Sequence, residues 1–143
     1  MTQERVLIVD DEVDFTEVLS QRMQSRGIAV DTAAGGREAL EKAKDKSYDA
    51  IVLDLSMPDM DGLETLKQLL GENPDQQVIM LTGCGTIEKG VEAIRLGAMD
   101  FLKKPASLQD LIEQVKLAKA KKMLLVEKRM EEKMKDILQS KSW

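Results

Sequence analysis

The sequence contains no histidine, a single cysteine and few aromatic residues, and each shortage excludes a class of site. Without histidine, the chain has no histidine base, no histidine-ligated zinc site and no phosphohistidine of its own. One cysteine, Cys84, cannot form an internal disulfide, which is typical of a protein in a reducing compartment. Aromatic side chains make up 3% of the residues, so a core must be built from aliphatic side chains and the nine methionines.

Long apolar runs are also missing. No stretch of about 18 apolar residues occurs, and no charged-then-apolar leader precedes the first strand-like segment. We therefore predict a cytoplasmic protein without a membrane span. The 143 residues, 43% of them hydrophobic, are enough for one folded domain.

Charge is distributed unevenly along the chain. Residues 1–118 carry 13 Lys and Arg against 22 Asp and Glu, whereas residues 119–143 carry 8 against 4. An acidic body is a poor partner for nucleic acid, because phosphate backbones are bound by Lys and Arg. The basic tail is a weak candidate for DNA binding because a third of its charges are acidic, so we predict no direct nucleic-acid contact.

Five short apolar runs alternate with helix-like segments along the chain. Two of the runs, Val6–Val9 and Ala50–Leu53, are apolar without interruption, which indicates strands covered on both faces of a parallel sheet. We predict an α/β, doubly wound, flavodoxin-like (βα)5 fold with strand order 2-1-3-4-5. The five predicted strands are Arg5–Val9, Ile28–Ala33, Ala50–Leu53, Gln77–Leu81 and Met99–Leu102.

The segments between the strands carry apolar stripes at helical spacing. Asp61 and Ser107 are predicted to cap two of the helices, and Gly27 and Gly97 to end two others. The five stripes are Phe15, Val18, Leu19 and Met23; Ala39, Leu40 and Ala43; Leu63, Leu66, Leu69 and Leu70; Ile87, Val91 and Ile94; and Leu111, Ile112 and Val115.

The fifth helix has no predicted end near residue 120. We divide the chain into a domain over residues 1–120 and a helical extension or linker over residues 121–143. The extension is either a frayed, solvated helix or a helix that packs against a partner, most simply a second copy. Its apolar stripe consists of Met123, Val126, Met130, Met134 and Ile137.

Reactive residue types follow the predicted strands. Asp10 and Asp11 follow strand 1, Asp54 follows strand 3, and Thr82 and Lys104 follow strands 4 and 5. In an open parallel sheet, ligands bind beyond the carboxyl ends of the strands. Three carboxylates gathered there repel one another, and Mg²⁺ together with Lys104 would bring the formal charge to zero.

A carboxylate in this setting is a competent nucleophile toward phosphorus. Asp54 would accept the phosphoryl group, while Mg²⁺, Lys104 and the Thr82 hydroxyl would contact its oxygens. Each residue alone also has an ordinary role, in a turn, at a helix start or at the surface. The combination of matching residues at four strand ends is what favours the chemical interpretation.

These motifs resemble the receiver domain of bacterial two-component response regulators, a CheY-like family. The resemblance covers residues 4–120 and depends on the acidic pair Asp10–Asp11 and on the segment 54–62, of sequence DLSMPDMDG. It also depends on Thr82-Gly83, 28 residues after Asp54, and on Lys104-Pro105, a further 22 residues on. The tail is similar to the connector of enhancer-binding, NtrC-like transcription regulators.

The resemblance implies a role for each matching residue. Asp54 would be the phosphoacceptor, and Mg²⁺ would be held by Asp11, Asp54 and the backbone carbonyl of Ser56, with Asp10 acting mainly through a metal-bound water. Lys104 would contact the phosphoryl group, and the peptide bond between Lys104 and Pro105 is expected to be cis.

The same resemblance implies a switch. Thr82 would move inward on phosphorylation, and Phe101 would change rotamer with it. Strand 4, helix 4, strand 5 and helix 5 would form the output face, which a homodimer or another partner could bind. Ser56 and Cys84 occupy positions that vary in the family and influence the lifetime of the phosphoryl group. The donor would be the phosphohistidine of a sensor histidine kinase.

Three other functions remain open at this stage. A phosphatase with an aspartyl nucleophile generally has a second Asp two residues after the first, where this chain has Ser56. A flavin-binding module would need a Ser/Thr-rich phosphate loop after strand 1. A dimerisation module would need no phosphorylation at all. We expect a signalling phosphoacceptor rather than an enzyme.

The route of the output is also open. No effector domain is predicted after residue 120, so the output is either a downstream effector protein or a domain of a longer regulator of which this chain is the receiver portion.

Overall fold

Five strands alternate with five helices in the computed structural model, which describes residues 3–83 and 85–140. Cys84 lies outside the described residues. The strands are β1 (Arg5–Val9), β2 (Ala29–Ala33), β3 (Ala50–Leu53), β4 (Val78–Thr82) and β5 (Asp100–Lys103). The helices are α1 (Val13–Gln24), α2 (Gly36–Asp45), α3 (Gly62–Glu72), α4 (Ile87–Leu96) and α5 (Leu108–Ser140).

The strands form one parallel sheet of order β2-β1-β3-β4-β5, which confirms the predicted doubly wound fold. β1 and β3 are neighbours in register, with Val9 opposite Leu53. The residues that follow them, Asp10 and Asp54, therefore leave the sheet side by side, and the Asp54 amide donates to the Val9 carbonyl at 3.0 Å. This pairing sets the position of the acidic residues.

Three strands differ from the predicted ones by one residue, β2 at its start and β4 and β5 at both ends. β2 begins at Ala29, β4 spans Val78–Thr82, and β5 spans Asp100–Lys103. The apolar runs mark where side chains are buried, whereas the strand ends are set by pairing, and Thr82 pairs with Lys103 beyond the apolar run. Thr82 consequently ends β4 as a fully buried side chain rather than starting a loop.

The core has two layers, one on each face of the sheet. One layer packs against α2, α3 and α4 and includes the buried side chains of Leu40, Leu66 and Ala93. The other packs against α1 and α5 and includes Met23 and Val115. Covering both faces explains why Val6–Val9 of β1 and all of β3 are apolar.

The apolar stripe of α4 faces solvent and not the core. Ile87 is 88% exposed, and Val91 and Ile94 are each almost half exposed. α4 instead contacts the body through small residues, with Ala93 fully buried and Gly90 against the Phe101 ring. Spacing alone could not separate a core-facing stripe from a surface stripe.

The two predicted caps and the predicted stop at Gly97 are confirmed, whereas α1 ends at Gln24, three residues before Gly27. The Asp61 side chain accepts a hydrogen bond from the Glu64 amide at 2.8 Å, and the Ser107 hydroxyl accepts one from the Asp110 amide at 3.0 Å. Gly97 ends α4 with φ +112°, in the left-handed region that favours glycine. The two caps fix where loops at the carboxyl edge end, and Gly97 fixes where a loop at the amino edge begins.

α5 continues as one helix to Ser140, well past residue 120. Two basic side chains tie this extension to loops at the amino edge of the sheet. Lys122 Nζ donates to the Tyr48 carbonyl at 2.8 Å and to the Ser47 hydroxyl at 2.7 Å, and Arg129 Nε lies 2.8 Å from Asp75 Oδ2. In the part of the chain that is described, no helix is long and apolar enough to cross a membrane.

Candidate functional site

Three carboxylates meet at the carboxyl edge of the sheet. One oxygen from each of Asp10, Asp11 and Asp54 lies within 4.8 Å of the other two. Asp10 and Asp11 follow β1 and Asp54 follows β3, so the pairing of these strands brings the acids together. The structure therefore places the predicted acidic residues in one pocket.

Burial separates the three acids. Asp10 and Asp54 are 3% and 6% exposed, whereas Asp11 is exposed to solvent. Burial raises the pKa of Asp54, and the negative charge of Asp10 raises it further, against the hydrogen bond from Thr82 and the charge of Lys104. Asp54 is thus a carboxylate whose ionised form is poorly solvated.

Lys104 provides the positive charge of the pocket. Its Nζ lies 2.6 Å from Asp10 Oδ2 and 3.5 Å from Glu12 Oε1, and it stands 4.0 Å from the centre of the Phe15 ring. Burial lowers the pKa of Lys104, but its hydrogen bond to Asp10 and the nearby carboxylate charges outweigh burial and leave the pKa raised. The lysine is therefore a permanent cation, and its bond to Pro105 is cis, as expected.

Thr82 and Phe101 are linked through a glycine. Thr82 is fully buried at the end of β4 and hydrogen-bonds to Asp54. A Cβ at Gly85 would lie 2.9 Å from both Cγ2 of Thr82 and Cε1 of Phe101. Because Gly85 has no side chain, the two predicted switch residues pack against the same short stretch of backbone.

The loop between β3 and α3 is held tightly over the site. The Gly62 amide donates to the Leu55 carbonyl at 2.7 Å, and a Cβ at Gly62 would overlap the Asp54 carbonyl oxygen. Ser56 is exposed in this loop and lines a cavity of about 380 Å³ together with Asp11. Ser56 and Asp11, two of the predicted metal ligands, therefore border the same cavity.

Sequence reasoning missed two residues of this pocket. Glu12 extends the acidic pair by one position and forms an ion pair with Lys104, a role that its place in the acidic run could have suggested. Phe15 belongs to the apolar stripe of α1, and nothing in the sequence indicates its contact with Lys104.

The donor set suits a hard divalent cation. Three carboxylates and one ammonium group leave a formal charge of −2, which a divalent ion offsets. Oxygens bound to one Mg²⁺ at about 2.1 Å are at most about 4.2 Å apart, so the three oxygens need only a small approach to share an ion. All the candidate protein ligands are oxygen atoms, which Mg²⁺ prefers.

Comparison with protein families gives one match over most of the chain. The family model described as the response regulator receiver domain matches residues 6–116. The acid tolerance regulatory protein ActR of Rhizobium meliloti is 39% identical over 107 residues, which are 75% of this chain and 55% of ActR. The transcriptional regulatory protein ZraR of Escherichia coli K12 is 36% identical over 115 residues, 80% of this chain and 26% of ZraR. The chain spans about half the length of the first of these relatives and a quarter of the second.

Solved structures give the same result. A CheY-like response regulator receiver domain protein of Methanospirillum hungatei superposes with a TM-score of 0.81 at 30% identity, covering 85% of this chain and 98% of that one. A Burkholderia pseudomallei response regulator, solved with a phosphorylated aspartic acid, calcium ion and citrate, gives a TM-score of 0.75 at 28% identity, with 90% and 75% covered.

Proposed function

Because this chain belongs to the response regulator receiver domain family, we propose that it accepts a phosphoryl group on Asp54 in the presence of Mg²⁺ and changes its affinity for a partner as a result. The convergence of Asp10, Asp11 and Asp54 with Lys104 at one edge of the sheet carries this proposal. The Burkholderia response regulator was solved with a phosphorylated aspartic acid and a calcium ion.

Asp54 is the nucleophile of the proposed reaction. A carboxylate oxygen of Asp54 forms the new bond to phosphorus, and the bond from phosphorus to the donor nitrogen breaks, with its electron pair leaving on the donor. The donor is the phosphohistidine of a sensor histidine kinase. The product is an acyl phosphate, a mixed anhydride that carries more negative charge than the carboxylate, and Lys104 and a divalent ion can neutralise this charge.

The divalent ion would be held by Asp11, Asp54 and the Ser56 carbonyl, and it supplies positive charge where the phosphoryl oxygens gather. Asp10 holds Lys104 at 2.6 Å in the resting state. The added phosphoryl oxygens give Lys104 a second anionic partner near Asp54. We propose that Lys104 then shares its charge between Asp10 and the phosphoryl group.

Thr82 and Phe101 would convey the change to the surface. Thr82 hydrogen-bonds to Asp54 in the resting state, so a phosphoryl group on Asp54 competes for the same hydroxyl. Movement of Thr82 leaves space beside Gly85 for the Phe101 ring. The ring borders a cavity of about 540 Å³ between α4 and β5, whose rim carries the exposed Ile87.

The output is proposed to pass through two surfaces. One is the face of α4, β5 and α5, and the other is the extension of α5, where Met123 and Met130 are exposed. A homodimer is proposed to use one or both, and the domain boundary is proposed near residue 120, where α5 leaves the core. A downstream effector, as a separate protein or a further domain, would respond to this change. We propose that the reaction with the kinase takes place in the cytoplasm.

One experiment tests the phosphoacceptor directly. The wild type and Asp54→Asn are incubated with acetyl phosphate or with beryllofluoride, each with Mg²⁺, and the product is followed by intact mass and by calorimetry. Asp45→Asn, an exposed carboxylate at the end of α2, is the matched control. The wild type and the control should react and bind, whereas Asp54→Asn should do neither. Equal behaviour of all three proteins would remove the proposal.

A dimerisation module independent of phosphorylation is the second candidate, favoured by the exposed apolar side chains of the α5 extension. It predicts a dimer whose dissociation constant is unchanged by beryllofluoride. An enzymatic phosphatase would instead turn over small phosphate esters many times per molecule, and we expect no such turnover.

A further inference from the structure

Helix α2 begins without a cap of its own. Its N-cap residue is Gly35, which has no side chain to accept a hydrogen bond from the first turn. The first amides of a helix have no partner within it and need an acceptor from elsewhere. The acceptor in this protein comes from a distant loop.

Asp59 supplies the missing acceptor. Its Oδ1 lies 3.2 Å from the Gly36 amide and its Oδ2 lies 3.1 Å from the Arg37 amide, so one carboxylate spans two successive amides. Gly36 and Arg37 precede Asp59 in the chain by 23 and 22 residues. A Cβ at Gly35 would lie 2.8 Å from Cγ of Asp59, so only glycine leaves room for the carboxylate at this distance.

Asp59 lies in the β3–α3 loop, which also carries Ser56. The inner end of this loop is held by the hydrogen bond from the Gly62 amide to the Leu55 carbonyl and by the Asp61 cap on α3. The middle of the loop is exposed at Ser56. Asp59 therefore anchors the outer part of the loop to a second element, the amino end of α2.

We propose that Asp59 is a positioning residue of the metal site: it holds the β3–α3 loop against α2, so that the Ser56 carbonyl can bind the ion that Asp11 and Asp54 would hold. The inference rests on the proposed function, since it concerns the same site. In this role Asp59 is not itself a ligand of the ion. It acts on the site through the path of the loop.

An alternative role for Asp59 is that of a helix cap and nothing more. In that case any acceptor at the start of α2 would replace it. Gly35 has φ −167°, an extended conformation open to every residue, so Ser at this position can cap α2 itself. Once Asp59 is truncated to Ala, the space that a Cβ at position 35 needs is available. Gly35→Ser combined with Asp59→Ala therefore restores the cap without restoring the link between loop and helix.

The test uses the full chain and five proteins: the wild type, Asp59→Ala, Asp59→Asn, the double variant Gly35→Ser/Asp59→Ala, and the control Asp45→Ala. Mg²⁺ affinity is measured by calorimetry, stability by urea unfolding, and the mobility of residues 55–61 by amide hydrogen exchange without Mg²⁺. Asp59→Ala should bind Mg²⁺ roughly tenfold more weakly, as is usual when a residue supporting a metal ligand is lost. Its loop should exchange faster.

The double variant decides between the two roles. It should recover the stability of the wild type while its Mg²⁺ affinity stays low and its loop exchange stays fast. Recovery of Mg²⁺ affinity with the cap, or an unchanged affinity in Asp59→Ala, would overturn the positioning role. Asp59→Asn, which keeps one acceptor oxygen, should fall between Asp59→Ala and the wild type. If the wild type binds no Mg²⁺, the proposed function fails as well, so the two failures are distinguishable.

Discussion

Nζ of Lys104 lies 2.6 Å from Oδ2 of Asp10, although 94 residues separate the two in the chain. Because Asp10 is buried, the ammonium group of Lys104 is the main positive charge that stabilises its carboxylate before a metal ion binds. The pair closes the pocket between β1 and β5 across the intervening strands. It also determines how the site responds when the lysine is removed.

Lys104→Met should lower stability and tighten Mg²⁺ binding together. Without Mg²⁺, the unpaired Asp10 should reduce the free energy of unfolding by about 2–3 kcal/mol. Loss of the ammonium group makes the pocket more negative, so Mg²⁺ should bind several-fold more tightly, whereas beryllofluoride binding should fall. Calorimetry and urea unfolding measure these effects. Lys103→Met, at the exposed neighbouring position, is the control and should change none of them; weaker Mg²⁺ binding in Lys104→Met would contradict the electrostatic account.

The raised pKa of Asp54 predicts an unusual pH dependence for the protein without Mg²⁺. The folded state retains this proton at pH values at which the unfolded chain, with an ordinary pKa near 3.8, has released it. The contribution of Asp54 to stability should therefore rise as the pH falls through the folded pKa, and level off below about pH 3.8. Asp54→Asn removes this dependence and should be the more stable protein at neutral pH. Urea unfolding of both from pH 7 to pH 4 should show their difference shrinking; a constant difference would refute the burial argument.

Gly62→Ala should destabilise the protein because the new methyl group meets the backbone of the loop. Its Cβ would overlap the Asp54 carbonyl oxygen and lie 2.7 Å from Cα of Leu55. We expect a loss of about 1–3 kcal/mol in urea unfolding, with weaker Mg²⁺ binding because Asp54 shifts. Gly71→Ala, in the same helix and with nothing within 4 Å, should instead gain about 0.5–1 kcal/mol. Similar effects of the two substitutions would show that the backbone at Asp54 and Leu55 moves to accommodate the methyl group, which contradicts the prediction.

Met130→Gln should weaken any self-association through the α5 extension. Met130 is 67% exposed and shares a helix face with Met123 and Ile137, seven residues away in each direction. Lys128→Gln, on another face, gives the same side chain at an exposed site and is the control. Sedimentation should show a larger dissociation constant for Met130→Gln alone, and a chain ending at residue 120 should be monomeric. Dimers of equal affinity in all these proteins would place the interface elsewhere.

Much of the fold and the grouping of the acids could be predicted because they depend on short-range patterns. Continuous apolar strands imply a parallel sheet, and a parallel sheet sends the residues after β1 and β3 to the same edge. Asp10 and Asp54 could therefore be placed together without knowing any distance. The roles of the site residues remain predictions that the proposed experiments address.

The features that could not be predicted depend on the paths of loops and on which side of a helix meets the body. Asp59 caps α2 because the β3–α3 loop brings its carboxylate to the amino end of that helix. Phe15 meets Lys104 because α1 and the segment after β5 converge. The Ile87 stripe faces solvent because α4 packs through Ala93, and equal spacing would have allowed either face.

The contacts of Lys122 and Arg129 orient α5 relative to the loops at the amino edge of the sheet. Beyond Arg129 the helix runs to Ser140, a projection of about 16 Å at 1.5 Å per residue. Because a helix is stiff, a small change in the tilt of α5 at these contacts displaces its last turn by a larger distance. A partner bound to the last turns of α5 would therefore be displaced by changes in helix tilt that move the residues near Arg129 very little.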